Sequence, residues 1–329
     1  MLRSKQALFV VLVSVAALSV TAATLTLPGR GEPPVTQPGV PAVGPSEAAS
    51  VGPEAPAASP EPLVPAPTPA LPRAVAETDV VVAPNAVQQN EDLRGRLDWV
   101  FGGKQQRGWS IYQPLIARTL GVEETAPPEE FARAVARWQK AAGQQQPTGV
   151  LDSATWMRMV QTWQSRRLGS SATPRADELV TVSASEFWDP GRPADLRQVE
   201  RTTYEAYRRM LTAAAADPSL GLRVRPDGEL DESEKFFKIV SAYRSREHQE
   251  RLRRADPSSG RAGLARNSPH FTGRALDLYV GGYDPVSTKD DNRLLQTQTK
   301  AYRWLVRHAE SFGFRPYYYE PWHWEYVGR

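Results

Sequence analysis

The sequence predicts an α+β chain, in which an antiparallel sheet with flanking helices follows a small three-helix domain. Three observations carry this. Helical-period apolar stripes recur between residues 131 and 163 and again after residue 200. Two short stretches, FFKIVSAY over residues 236–243 and the alternating RALDLYV, read as strands. Strands and helices mix without the regular βαβ alternation of a parallel sheet.

The chain opens with Arg3 and Lys5 ahead of an uncharged, largely apolar run from Ala7 to Leu27. A basic flank before such a run marks an export segment, residues 1–27. About 20 apolar residues also suffice to span a bilayer. A peptide cut after Val20-Thr21-Ala22 or Thr21-Ala22-Ala23 and a retained membrane anchor both fit. Either one places the remainder outside the cytoplasm, in the periplasm or cell wall.

Residues 28–90 hold about half of the 29 prolines and read as a Pro/Ala-rich linker. Such a composition buries too little apolar surface to offset its conformational entropy. Roughly 60 residues at about 3.1 Å each reach at most about 190 Å, a spacer suited to a tethered protein working at a distance.

Residues 91–166 form the helical domain. In FARAVARWQKAAG, Phe131, Ala134, Val135, Trp138 and Ala141 share one face and Gly143 is the stop. Asp152 caps the next helix, which aligns Trp156, Met159, Val160 and Trp163. Residues 167–180 are a polar connector, and 181–329 form the second domain. There, QVERTTYEAYRRMLTAAAAD predicts a helix burying Tyr204, Tyr207, Met210 and Leu211. SREHQERLRRAD predicts another, capped by Ser245. NRLLQTQTKAYRWLVRHAESFG predicts one long helix burying Leu294, Leu295, Ala301, Tyr302, Leu305 and Phe312, with Gly313 at its end. The aromatic run YYYEPWHWEYVGR predicts a buried closing strand.

Cysteine is absent, which excludes disulfides, thiolate metal sites and a cysteine nucleophile. Net charge is +3 without a block of like charges, so no nucleic-acid stripe is expected. Ser-x-x-Lys, Gly-x-Ser-x-Gly, His-Glu-x-x-His and phosphate-binding glycine loops are all missing.

Of the four histidines, two stand out. His270 lies in SPHFTGRALD upstream of Asp277, and His323 lies in EPWH downstream of Glu320. A loop can bring His270 beside a strand carrying Asp277. Two imidazoles and a carboxylate would then hold a zinc ion and leave a position for water. Glu320 is better placed as general base than as a further ligand. His248 and His308 sit among charges on helices and are expected to be solvated.

These residues resemble the VanY-type zinc D-alanyl-D-alanine carboxypeptidases and the wider LAS peptidases (lysostaphin, D-Ala-D-Ala metallopeptidases, sonic hedgehog). The group's pattern, Ser-x-His-x-x-Gly-x-Ala-x-Asp followed by Glu-x-x-His, is met by Ser268, His270, Gly273, Ala275, Asp277, Glu320 and His323. The resemblance covers about residues 236–328 and implies His270, Asp277 and His323 as Zn2+ ligands with Glu320 as catalytic base. It further implies that Arg244 of SAYRS stabilises the oxyanion, and that Ser268 and Gln249 line the substrate site. Pro269 and Phe271 stand where VanY-like SEHQ sequences carry Glu and Gln, which leaves the preferred peptide open. The implied substrate is peptidoglycan stem peptide ending in D-Ala-D-Ala. A cross-bridge endopeptidase with the same site and a non-catalytic wall-binding protein are the alternatives. Separately, WQKAAG, TGVLD and the SATW helix, within residues 128–163, resemble the three-helix peptidoglycan-binding domain found beside many cell-wall hydrolases.

Overall fold

The computed structural model describes residues 80–169, 172–226, 230–255 and 268–328. The expected export segment, residues 1–27, and residues 28–79 of the expected linker lie outside the described residues. Among the described residues no helix is long and apolar enough to cross a membrane.

The N-terminal part comprises α1 (Ala86–Arg96), a hairpin of β1 (Asp98–Phe101) and β2 (Lys104–Arg107), α2 (Gln113–Leu120), α3 (Pro128–Ala141) and α4 (Ser153–Ser165). The first helix begins inside the stretch expected to be linker. The hairpin is an addition to the expected helices. Gly102 and Gly103 form its turn at φ 57° and 78°, the left-handed pair that a two-residue hairpin turn requires. Asp152 caps α4 by accepting from the Thr155 amide at 2.8 Å. Trp156, Met159, Val160 and Trp163 are buried along that helix, as its apolar stripe predicts.

The remainder is α+β. A two-stranded pair, β3 (Leu179–Thr181) with β4 (Gln198–Glu200), leads into α5 (Arg201–Ala215). The Glu200 carboxylate caps α5 by accepting from the Thr202 and Thr203 amides. The main sheet runs β5 (Ile239–Ser241), β6 (Ala275–Leu278), β8 (His323–Tyr326) and β7 (Phe314–Pro316) in spatial order, antiparallel throughout. Helices α6 (Arg246–Ala255), α7 (Asp290–Thr297) and α8 (Lys300–His308) flank it.

Two expectations need correction. The long helix over residues 292–313 is broken: Thr299 leaves the helical conformation and caps α8 by accepting from the Tyr302 amide, while its hydroxyl donates to Val280 O at 2.7 Å. That break re-phases the stripe. Leu294 and Leu295 are 38% and 50% exposed, and Asn292, Arg293, Gln296 and Thr297 are buried instead. The closing strand is also shorter than the aromatic run, because residues 317–322 form turns rather than strand.

One apolar core runs from Leu97 and Trp99 in the N-terminal part to Trp324 and Tyr326 in the sheet. Tyr318 is its keystone, with ring centroids 5.2 Å from Phe101, 5.7 Å from Tyr112 and 5.8 Å from Trp163. Beside it, buried Arg293 donates to Tyr112 Oη at 2.8 Å, Gln106 Oε1 at 3.1 Å and Tyr319 O at 3.2 Å. The helices and the sheet therefore share an interior.

Candidate metal centre and catalytic cavity

Strand register builds the centre. Asp277 of β6 pairs with Ser241 of β5 on one side and His323 of β8 on the other. Directly opposed residues of antiparallel strands project to the same face, so Asp277 and His323 meet. His323 Nδ1 lies 2.9 Å from Asp277 Oδ1.

His270 arrives from the 3-10 turn Pro269–Thr272, whose N-cap is Ser268. The turn ends at Gly273, at φ 67°, where a Cβ would sit 3.0 Å from the Glu200 backbone nitrogen. A glycine is needed there both for the left-handed conformation and for the close approach. The segment after β5 holds the turn at two points: Arg244 N donates to His270 O at 3.1 Å, and His270 Nδ1 meets Ala242 O at 2.7 Å. A carbonyl can only accept, so Nδ1 carries the proton and the lone pair is left on Nε2. That nitrogen lies 3.3 Å from Asp277 Oδ2.

The three side chains offer ligand atoms within 4.8 Å of one another, and all are buried. Each imidazole spends its other nitrogen on a second partner, His270 on Ala242 O and His323 on Glu325 Oε1 at 3.2 Å. Metal-ligating histidines are usually oriented by such a contact. Two nitrogens and one carboxylate oxygen suit a divalent ion of zinc-like character. The donor set fits.

Charge is concentrated here. Burial alone would raise Asp277, but the adjacent His270 and His323 hold its carboxyl far below the usual range. Burial disfavours charge on His323, yet hydrogen bonds to Asp277 and Glu325 outweigh it and lift its pKa to about 9. Burial lowers His270.

Glu320 stands in the turn before β8. The chain there is closed by backbone bonds from Tyr317 N to His323 O at 3.0 Å, Glu320 N to Tyr317 O at 3.1 Å and His323 N to Glu320 O at 2.9 Å. Burial raises the Glu320 carboxyl to about 7, opposed by His323. Such a value suits a group that must both take and give a proton near neutrality.

A cavity of about 890 Å³ opens over the centre, lined by His270, Asp277, Glu320, His323, Arg244 and Ser268 among others. Arg244 is fixed by donating to Gln249 Oε1 at 2.8 Å and Ser241 Oγ at 3.0 Å. Burial lowers its pKa, partly offset by Asp277. Gln249 is buried behind Arg244 and does not line this cavity; its position on α6 turns its amide to the guanidinium. His308 is exposed, whereas His248 lies on the cavity wall. Arg274 donates to Gly328 O and lies over the Tyr326 ring.

Several residues at this site escaped the motif. Glu325 accepts from His323 on one side and from Arg167 and the Leu168 amide on the other. The alternation His323-x-Glu325 on a strand is the signal that could have found it. Gln164, Arg167, Asp189 and Arg192 line the cavity from outside the C-terminal sheet, and no local pattern marks them.

Residues 229–329 match the family model of VanY, D-alanyl-D-alanine carboxypeptidase. No curated protein matches the chain. The matched segment holds the three candidate ligands, Glu320, Arg244 and Glu325; Gln164, Arg167, Asp189 and Arg192 fall before it.

Proposed function

We propose that this chain, with its VanY-type segment at residues 229–329, is an exported zinc D-alanyl-D-alanine carboxypeptidase that trims peptidoglycan stem peptides. The observation that carries the reading is the convergence of His270, Asp277 and His323 within 4.8 Å, under a cavity that also holds Glu320 and Arg244. Zinc held by those three side chains would acidify a water molecule and polarise the scissile carbonyl.

The chain's own residues supply the rest. Ionised Glu320 accepts a proton from the attacking water and returns it to the departing amine of the terminal D-alanine. Arg244, its guanidinium already directed by Gln249 and Ser241, faces the negative charge that develops on the carbonyl oxygen. Donors fixed before the reaction need no reorganisation as that charge appears. Ser268, on the cavity wall, would hydrogen-bond the peptide backbone. The helical part, residues 91–166 of the expected organisation, would hold the enzyme on its polymer and raise the local substrate concentration.

Release of D-alanine from a pentapeptide stem tests this reading. Release should stop on chelation, resume on addition of zinc, and fall to background in Glu320→Ala. Release that ignores both treatments contradicts it. Cross-linked dimers falling to monomers in digested wall, without free D-alanine, would instead assign the same site to an endopeptidase.

A further inference from the structure

Glu325 has no part in the chemistry above, yet it is a fully buried carboxylate two residues beyond a candidate ligand on the same strand face. Its oxygens are occupied from two directions. On Oε1 it accepts from Arg167 Nε at 2.9 Å and from a terminal nitrogen of the same guanidinium, and Oε2 accepts from the Leu168 amide at 2.8 Å. The same Oε1 also meets His323 Nε2, at 3.2 Å. Arg167 is itself held, donating to Gln164 Oε1 at 3.1 Å and lying 3.9 Å over the Tyr317 ring.

A buried ion pair that merely tied the connector to the sheet would need only Arg167 and Glu325. The contact to His323 goes further. A carboxylate is solely an acceptor, so Nε2 keeps a hydrogen for Glu325, and the ring is held with Nδ1 turned to Asp277, 2.9 Å from its Oδ1, as the nitrogen available to a cation once its own hydrogen is displaced. Because Arg167 and the Leu168 amide fix the carboxylate, they also fix the direction in which it can hold that ring.

We infer that Glu325, clamped by Arg167 and the Leu168 amide, is a positioning residue that sets the ring orientation of His323, with Nδ1 toward the metal site. The inference rests on the zinc reading above. It also means that one candidate ligand is oriented from the connector after α4, 158 positions upstream of Glu325 and outside the VanY-type segment.

Zinc affinity of the full chain, measured by competition with a chromophoric chelator, tests this without relying on turnover. Glu325→Gln should weaken zinc binding by about 10- to 100-fold, the usual effect of removing a ligand's orienting partner. Arg167→Met should weaken it in the same direction, and the double variant should be no worse than Glu325→Gln, because the two act through one contact. Arg167→Lys should recover part of the loss. Thermal midpoints of the metal-free proteins separate folding from binding, since a merely structural clamp lowers the midpoint and leaves zinc affinity alone. Should Glu325→Gln fail to fold, Arg167→Met, at a side chain that is 21% exposed, carries the test. Wild-type protein that binds zinc, with both variants within about twofold of it, would overturn the positioning role and leave the metal reading standing. Wild-type protein that binds no zinc would overturn both.

Discussion

Asp277 and His323 are register partners across the β6–β8 ladder, with His323 Nδ1 2.9 Å from Asp277 Oδ1. The proposed metal centre therefore depends on strand pairing as much as on its side chains. Asp277→Asn keeps the shape of the residue but removes the charge that lies between two imidazoles. It should abolish stoichiometric zinc binding and peptidase activity while leaving far-UV circular dichroism unchanged. Isothermal titration with zinc measures the first directly.

Glu320 gives a pH signature. Its base form is lost as pH falls through its pKa, which burial raises to about 7, and a bound cation would pull that value lower. The acid limb of kcat/KM should therefore lie at or below about pH 7 and disappear in Glu320→Gln, with the rate down about 10²–10⁴-fold. A pH series of initial rates checks both.

The same burial has a stability consequence of defined sign. A carboxyl raised on folding from 4.5 to about 7 contributes its full stability below pH 4.5 and loses it as pH rises through 7. Glu320→Gln should thus make the metal-free protein more stable at pH 8 by up to about 2–3 kcal/mol, with the gain vanishing near pH 4. Denaturant unfolding at the two pH values reads it.

Arg244 should not be replaceable by lysine. Its fork reaches Gln249 and Ser241 at once, and a point charge on a flexible stem cannot keep that direction. Arg244→Lys and Arg244→Ala should both lower kcat by about 10²–10³, whereas Gln249→Ala, which removes one support of the guanidinium, should cost less. Steady-state kinetics on a pentapeptide separate these.

Tyr318 joins the two halves of the core. Its ring is packed among Phe101, Tyr112 and Trp163, and its hydroxyl has no hydrogen-bond partner among the described residues. Tyr318→Ala should cost about 3–5 kcal/mol, while Tyr318→Phe should be neutral or mildly stabilising. A fragment beginning at residue 170 should lose cooperative unfolding, because it lacks the rings that enclose Tyr318. Thermal melts of the three proteins decide.

The features legible in the sequence were those set by short-range spacing. His270, Asp277, Glu320 and His323 stand in two local patterns, and the stripe of α4 needed only helical periodicity. The features that were not legible depend on distant partners. Nothing near Leu294 shows that Thr299 will leave the helix to bond Val280 O, so the helical period of the sequence runs on through the break. The hairpin turn at Gly102-Gly103 was signalled locally, but its strands are too short to show alternation. Arg167 reads as an ordinary connector charge until the fold sets it against Glu325. Gln249 shows the converse: a motif neighbour turned to support an arginine rather than the cavity.

Anomalous X-ray diffraction at the zinc edge, on crystals of the zinc-loaded protein, locates the metal against its proposed ligands. A single strong peak shared by His270 Nε2, an Asp277 carboxylate oxygen and His323 Nδ1 is expected. A peak elsewhere, ligation through His323 Nε2, or no peak at these three residues would contradict it.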